Sequence, residues 1–353
     1  MIPTTPPPSD SEPDVDEGVA SHLDEHGKPR IIERHLIVPP ELAGLRLDHF
    51  VKTQIVRLSR TKIQMIIDTQ LRRVGPRSGA ERGVAVSVPK PATIVTAGDH
   101  FVIRREAKPE PPCPRTFGVV HSDARVIVVD KPAGLPVHAS AKFYFNTLAR
   151  VLAERYPDEP ELQLCHRLDR ETSGCLVVAR DKAAAAFVKQ AISNKHATTK
   201  QYLAIVNGHP PWDRESVLDV SLRISTEADD TKLATVRVIA GDGGLEAITR
   251  VHVERRSGPY ALVRCTLVTG RQHQIRAHLA HAGFPIVGDK IYAHGDDAFI
   301  EYCDEGLSPE LAELFVLPRH ALHAAAISVP HPDGGRVTAA APLPADMAAL
   351  LHE

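Results

Sequence analysis

Asp169 stands between two arginines in His166-Arg167-Leu168-Asp169-Arg170-Glu171-Thr172-Ser173-Gly174, with two hydroxyls after it and a glycine that permits a tight turn. A carboxylate in such company is either half of a structural ion pair or a catalytic group, and the segment alone decides nothing. Three further segments supply what a nucleoside-processing carboxylate needs: a stacking ring, a cationic partner and polar donors. Val129-Asp130-Lys131-Pro132-Ala133-Gly134-Leu135-Pro136-Val137-His138 sets a lysine and a histidine around a Pro-Ala-Gly turn. Lys200-Gln201-Tyr202-Leu203-Ala204 places a tyrosine in a strand, and Thr269-Gly270-Arg271-Gln272-His273-Gln274-Ile275-Arg276-Ala277-His278 gathers arginines and histidines.

The elements that must position these residues are mixed. Short β-like runs at Val126–Val129, Cys175–Val178 and Tyr202–Val206 alternate with helical stretches. Asp181 is placed to cap a helix with Phe187, Val188, Ala191 and Ile192 along one side, which sets Asp169 on a loop ahead of a strand and a buried helix. Pro332-Asp333-Gly334-Gly335 predicts a turn joining Ile327–Val329 to Val337–Ala339 as a hairpin.

With Gly283-Phe284-Pro285-Ile286-Val287-Gly288-Asp289 and Arg319-His320-Ala321-Leu322-His323-Ala324, these segments resemble the RluA-like pseudouridine synthases over residues 115–345. The resemblance implies an α+β catalytic fold with a mixed, largely antiparallel β-sheet flanked by helices. It makes Asp169 the catalytic aspartate, acting on the glycosidic bond of a uridine so that the base detaches, rotates and rejoins through carbon. Attack on the ribose and proton removal from it both remain open, and either requires an ionised carboxylate. Arg276 matches the arginine that pairs with the aspartate, Tyr202 the tyrosine that stacks on the base and assists proton removal from its carbon, and Arg167 an arginine implicated in filling the space a flipped nucleotide leaves. Thr172, Lys131, His138, Lys200, Arg271 and His273 become RNA contacts, with surface or packing roles as their alternative.

Upstream, residues 31–108 hold fourteen Lys and Arg against seven Asp and Glu, whereas residues 1–30 hold seven acidic and two basic side chains. The net charge of -2 therefore hides a basic module suited to phosphate contact. Leu47, Phe50, Val51 and Ile55 predict one amphipathic helix; Ser59 caps a second with a stripe of Ile63, Ile66, Ile67 and Leu71. Alternating Val84, Val86 and Val88, and Ile94, Val95, Val102 and Ile103 about a Gly98-Asp99 turn, predict short strands. Through Arg46-Leu47-Asp48, Leu58-Ser59-Arg60 and Ala97-Gly98-Asp99 the module resembles the alpha-L (S4-like) RNA-binding motif, a small α/β domain over residues 31–107 in which Arg46, Arg60, Lys62 and Arg72 are the RNA contacts. Residues 1–30 are expected to form a disordered acidic tail, 108–114 a proline-rich linker, and 115–353 the catalytic domain.

Five scattered cysteines without a Cys-x-x-Cys pair favour neither a disulfide framework nor a cysteine zinc site, and no apolar run suits a membrane span. A cytoplasmic monomer is expected. His273, His278 and His281 invite a metal site that no neighbouring ligand pattern completes, and the reaction implied needs no metal or organic cofactor. The sequence thus predicts uridine isomerisation in structured RNA, ribosomal RNA first and tRNA second. The rivals are a non-catalytic RNA-binding assembly factor and a glycoside hydrolase, the latter lacking a second carboxylate motif.

Overall fold

The computed structural model describes residues 22–55, 58–74, 85–140, 142–194 and 197–351. Contacts divide the chain between Glu110 and Pro111 into two compact units. The predicted tail lies outside the described residues up to position 21, but 22–30 form a hydrogen-bonded loop in which Asp24 accepts from the backbone of His26 and Lys28.

The smaller unit contains β1 (Ile31–Ile37), α1 (Leu47–Gln54), α2 (Arg60–Thr69), β2 (Leu71–Val74), β3 (Ala85–Ser87) and β4 (His100–Glu106), with sheet order β1-β4-β2-β3. Leu47, Phe50 and Val51 of α1 and Ile63 and Ile67 of α2 pack on Phe101 and Ile103. Ser59 caps α2 by accepting from the Lys62 amide. Leu71 is the first residue of β2 and not the last of the helical stripe, because α2 ends at Thr69. Ile94 sits in an isolated bridge to Arg46, outside any strand, and Val84 lies outside the described residues.

The larger unit runs β5 (Gly118–Ser122), β6 (Val126–Lys131), α3 (Leu148–Arg155), β7 (Gln163–Leu164), β8 (Ser173–Ala179), α4 (Lys182–Ser193), β9 (Thr199–Asn207), β10 (Ser216–Asp219), β11 (Leu222–Ile224), β12 (Val238–Ala240), β13 (Ile248–Ser257), β14 (Tyr260–Leu267), α5 (Gln274–His281), α6 (Gly295–Glu305), α7 (Pro309–Phe315), β15 (Leu322–Pro330), β16 (Arg336–Ala340) and α8 (Ala345–Ala349). Ten strands form one mixed sheet along β10-β13-β14-β9-β15-β8-β6-β5, with β16 on β15 and β7 on β8. Only β8 and β15 pair in parallel among the described strands of this sheet. All seven residues of β8 are buried, as a central strand covered on both faces requires. Asp181 caps α4 by accepting from Ala184, but Phe187 points outward at 40% exposure while Ala184, Ala185, Val188 and Ala191 face the sheet.

Cys113, which falls in the predicted linker, belongs to the larger unit's core, and Pro114 lies against Gly134. The predicted hairpin is β15–β16, closed by a hydrogen bond from the His331 amide to Gly335. Among the described residues no helix is long and apolar enough to cross a membrane.

Candidate active site

The loop from Cys165 to Thr172 leaves β7 and enters β8, and it holds Asp169 at the central sheet. β8 and β15 run unusually close there: Gly174 adopts φ +106°, and a Cβ on it would stand 2.3 Å from the Ala324 carbonyl oxygen. The same contact region fixes the loop's exit, since Ser173 bonds His323 and Thr172 bonds His320 at 2.8 Å.

The side chains predicted to act together do converge. Asp169, Tyr202 and Arg276 line one pocket with Arg167, Arg271 and His273. Arg276 donates through Nη1 to Asp169 Oδ2 at 3.0 Å and turns its other edge, Nε and Nη2, onto Asp289 at 2.6 and 2.8 Å. This two-pronged grip on fully buried Asp289 fixes the guanidinium plane, which a single contact would leave free to rotate. Asp289 is itself held by the amides of Ile291 and Tyr292. Burial alone would raise the Asp169 carboxyl, but His273, once protonated in the acid range, and the permanent charge and hydrogen bond of Arg276 outweigh it and hold Asp169 below its ordinary value. At neutral pH Asp169 is an ionised, oriented, partly accessible carboxylate.

Tyr202 lies on β9, register-paired with Cys265 on β14 and 8% exposed. Burial, and then the Asp169 charge, push its phenol far above the ordinary tyrosine value, so the ring enters the pocket as a neutral face and not as a resting base.

One predicted RNA contact is corrected. Lys131 is completely buried, and its ammonium donates to the carbonyls of Pro132, Leu135 and Arg170 at 2.7, 2.9 and 3.1 Å. Three acceptors match three ammonium protons, so Lys131 pins the Pro-Ala-Gly turn to the Asp169 loop and has no donor for RNA. Burial lowers its pKa, and the three carbonyl acceptors and the Asp169 charge favour the ammonium form. Thr172 is 2% exposed in the wall of the pocket, with its hydroxyl on His320.

The remaining candidates are accessible to different degrees. Arg167 and Arg271 are exposed at the pocket, Lys200 is half-buried beside Arg271 in an adjoining polar hollow, and exposed His138 feels burial and the Arg167 charge, both of which lower its pKa. In the smaller unit Arg60 and Lys62 are exposed on the first turn of α2. Arg46 is clamped on buried Asp48 and Arg72 donates to the carbonyls of Leu71 and Thr69, while both stay partly exposed.

Sequence reasoning missed the support beneath the loop. Asp289 sat inside a motif without a role, although an arginine needing two fixed directions implies a second anion. Glu171 receives Lys290 at 2.9 and 3.0 Å, and Lys290 also donates to the Pro318 carbonyl. Gln274 accepts from Thr269 and from the Arg271 amide and donates to Ile248 and Thr249, bracing the turn that carries His273. His278 has both nitrogens engaged, by Thr249 and the Val220 carbonyl, which makes it a packing histidine. No cluster with metal-ligand character occurs among the described residues.

Comparison with known proteins agrees with this geometry. Residues 125–281 match the family model for RNA pseudouridylate synthase. The chain is 33% identical to the ribosomal large subunit pseudouridine synthase D of Neisseria meningitidis serogroup A over 90% of this chain and 80% of that protein. It is 32% identical to the ribosomal large subunit pseudouridine synthase C of Escherichia coli K12, over 84% and 88%. Among solved structures, human RNA pseudouridylate synthase domain containing 4 superposes with a TM-score of 0.52 at 29% identity, over 67% of this chain and 92% of that one. The converging Asp169, Tyr202 and Arg276, on a sheet shared with these relatives, place the chain in the RluA-like family of RNA pseudouridine synthases.

Proposed function

We propose that the protein converts specific uridines of ribosomal RNA to pseudouridine, with Asp169 as the reacting carboxylate, Arg276 as its fixed counter-charge and Tyr202 as the surface on which the uracil stacks. The observation that carries the site assignment is the Asp169–Arg276–Asp289 chain, which delivers an oriented carboxylate to a pocket walled by an aromatic ring. The choice of ribosomal RNA rests on the two bacterial relatives, both ribosomal large subunit pseudouridine synthases by name.

The target atoms lie inside a stacked helix until the nucleotide is flipped, and exposed Arg167 at the pocket is placed to occupy the vacated position. Arg271, Lys200, His138 and His273 serve as contacts of the bound RNA near the site, and Arg60 and Lys62 as phosphate contacts on the smaller unit. The enzyme works as a monomer in the cytoplasm and needs no cofactor.

Asp169→Asn removes the charge and keeps the shape. Pseudouridine mapping in total RNA from cells with wild-type or Asp169→Asn protein should lose one or more ribosomal RNA signals in the variant, while RNA affinity stays within about threefold. Loss of a tRNA signal instead would move the substrate to tRNA; an unchanged map would refute the role of Asp169.

A further inference from the structure

His273 is the one residue of the pocket whose backbone is left-handed, at φ +51°, ψ +19°, immediately before α5. Such a conformation is uncommon for a residue with a Cβ and persists where the surroundings over-determine it. Here the Gln274 side chain braces the turn, and the His273 ring meets Tyr292 edge to face with Nδ1 3.1 Å from the Tyr292 hydroxyl.

That hydroxyl favours one tautomer of the histidine. The Tyr292 oxygen already accepts from the Val238 amide at 2.9 Å, which leaves its own proton free to be given away. With that proton donated to His273 Nδ1, the ring's own proton stands on Nε2. Nε2 faces the pocket 3.8 Å from Asp169 Oδ2, beyond hydrogen-bond length, with the side chain 13% exposed. Among the described residues this N–H has no acceptor within reach. Burial and the nearby Arg276 charge keep the ring neutral down to about pH 4.

We propose that His273 presents its Nε2 proton to a carbonyl oxygen of the target uracil and stabilises the charge that collects there when the base detaches. The inference rests on the isomerase reading above. As the bond between the ribose C1′ and the uracil N1 breaks, its electron pair passes to N1 and spreads over the two ring carbonyls. A preorganised neutral donor aimed at that oxygen is stronger toward the charged state than toward the intact nucleotide, so its effect falls on the chemical step. His273 keeps its proton throughout; when the base rejoins, the electron pair forms the new bond from the uracil C5 to C1′, the proton displaced from C5 leaves to solvent, and N1 takes up a proton in its place.

Two substitutions separate a donor from a mere filler. Asn tolerates the left-handed backbone but is too short to reach, whereas the Gln amide nitrogen comes near the place of Nε2. With the full-length protein and an in vitro transcript spanning the mapped uridine, His273→Asn should lower kcat about 10²- to 10³-fold with KM within about threefold, as for loss of one oxyanion donor. His273→Gln should recover kcat to within about tenfold of wild type. The pH profile of His273→Asn should keep every limb of the wild-type profile, because a donor that never releases its proton contributes none. Tyr292→Phe, which frees the tautomer, should lower kcat in the wild-type background and change it less than about twofold in His273→Asn.

Wild-type turnover on the transcript tests the isomerase reading by itself. With that turnover in hand, a His273→Asn enzyme as fast as wild type, a His273→Gln enzyme as slow as His273→Asn, or a limb lost from the profile would each overturn the donor role. Thermal melting of each variant identifies loss of fold; if His273→Asn melts early, the Gln rescue and the Tyr292→Phe coupling decide the matter.

Discussion

Asp169 owes its ionised state to a neighbour that another aspartate holds in place. The sequence names Asp169 and Arg276, but their 3.0 Å contact depends on Asp289 taking the opposite edge of the guanidinium. Because the positive charge lowers the Asp169 carboxyl, removing it must raise that pKa. Wild-type kcat/KM should stay level on the acid side until below about pH 4, the ordinary carboxylate range. Arg276→Met should shift the acid limb toward neutral pH besides lowering the rate, and a limb that stays put would show that Arg276 does not tune the carboxylate. Lys131 gives the converse case. Lys131→Met takes the donor from three carbonyls, that of Leu135 buried, so stability should fall by about 2 kcal/mol, with RNA affinity of the folded fraction unchanged. Weaker RNA binding by well-folded Lys131→Met would restore the contact role.

At the level of elements, the parallel pair β8–β15 decides where the loop emerges. It brings Thr172 and Ser173 against His320 and His323, residues some 150 positions away in the chain. Gly174 is what allows the approach, and its φ of +106° together with the 2.3 Å clearance excludes a methyl group. Gly174→Ala should lower the melting temperature by several degrees, corresponding to a loss of about 2 kcal/mol or more, with activity falling alongside because the loop loses its anchor. A variant as stable as wild type would mean the two strands can part at that point without consequence. The helices were more legible than this junction: Ser59 and Asp181 cap as their positions suggest, since capping is a local matter of one side chain and an amide three residues on. Phe187 and Leu71 were misplaced because periodicity shows which residues share a stripe but not where the helix stops or how wide the buried face is.

For the whole molecule, charge separates by region: the basic surplus belongs to residues 31–108, and an acidic excess lies on both sides of it, in residues 1–30 and 109–353. We propose that the smaller unit contributes RNA affinity through Arg60 and Lys62, leaving the chemistry to the larger one. Changing both to Ala should weaken binding to many RNA sequences alike and reduce the slope of log affinity against log salt by about one to two, with kcat at saturating RNA unaltered. An unchanged slope would remove these residues from the interface. A chain beginning at Pro111, which retains the buried Cys113, should fold and act on saturating RNA with a raised KM.

The sequence by itself determined the reaction class, through motifs that resemble a known family, and the alternation of strands and helices, through local spacing; it also named Asp169, Arg276 and Tyr202, which the structure brings to one pocket. It left Asp289, the Glu171–Lys290 clamp and the donor direction of His273 unread, and it took Lys131 for an RNA contact. Those depend on which polar groups become buried together, and burial is settled by strands that meet across more than a hundred residues. A lysine on the surface and one that bridges three carbonyls look alike in sequence; only the interior assigns its protons.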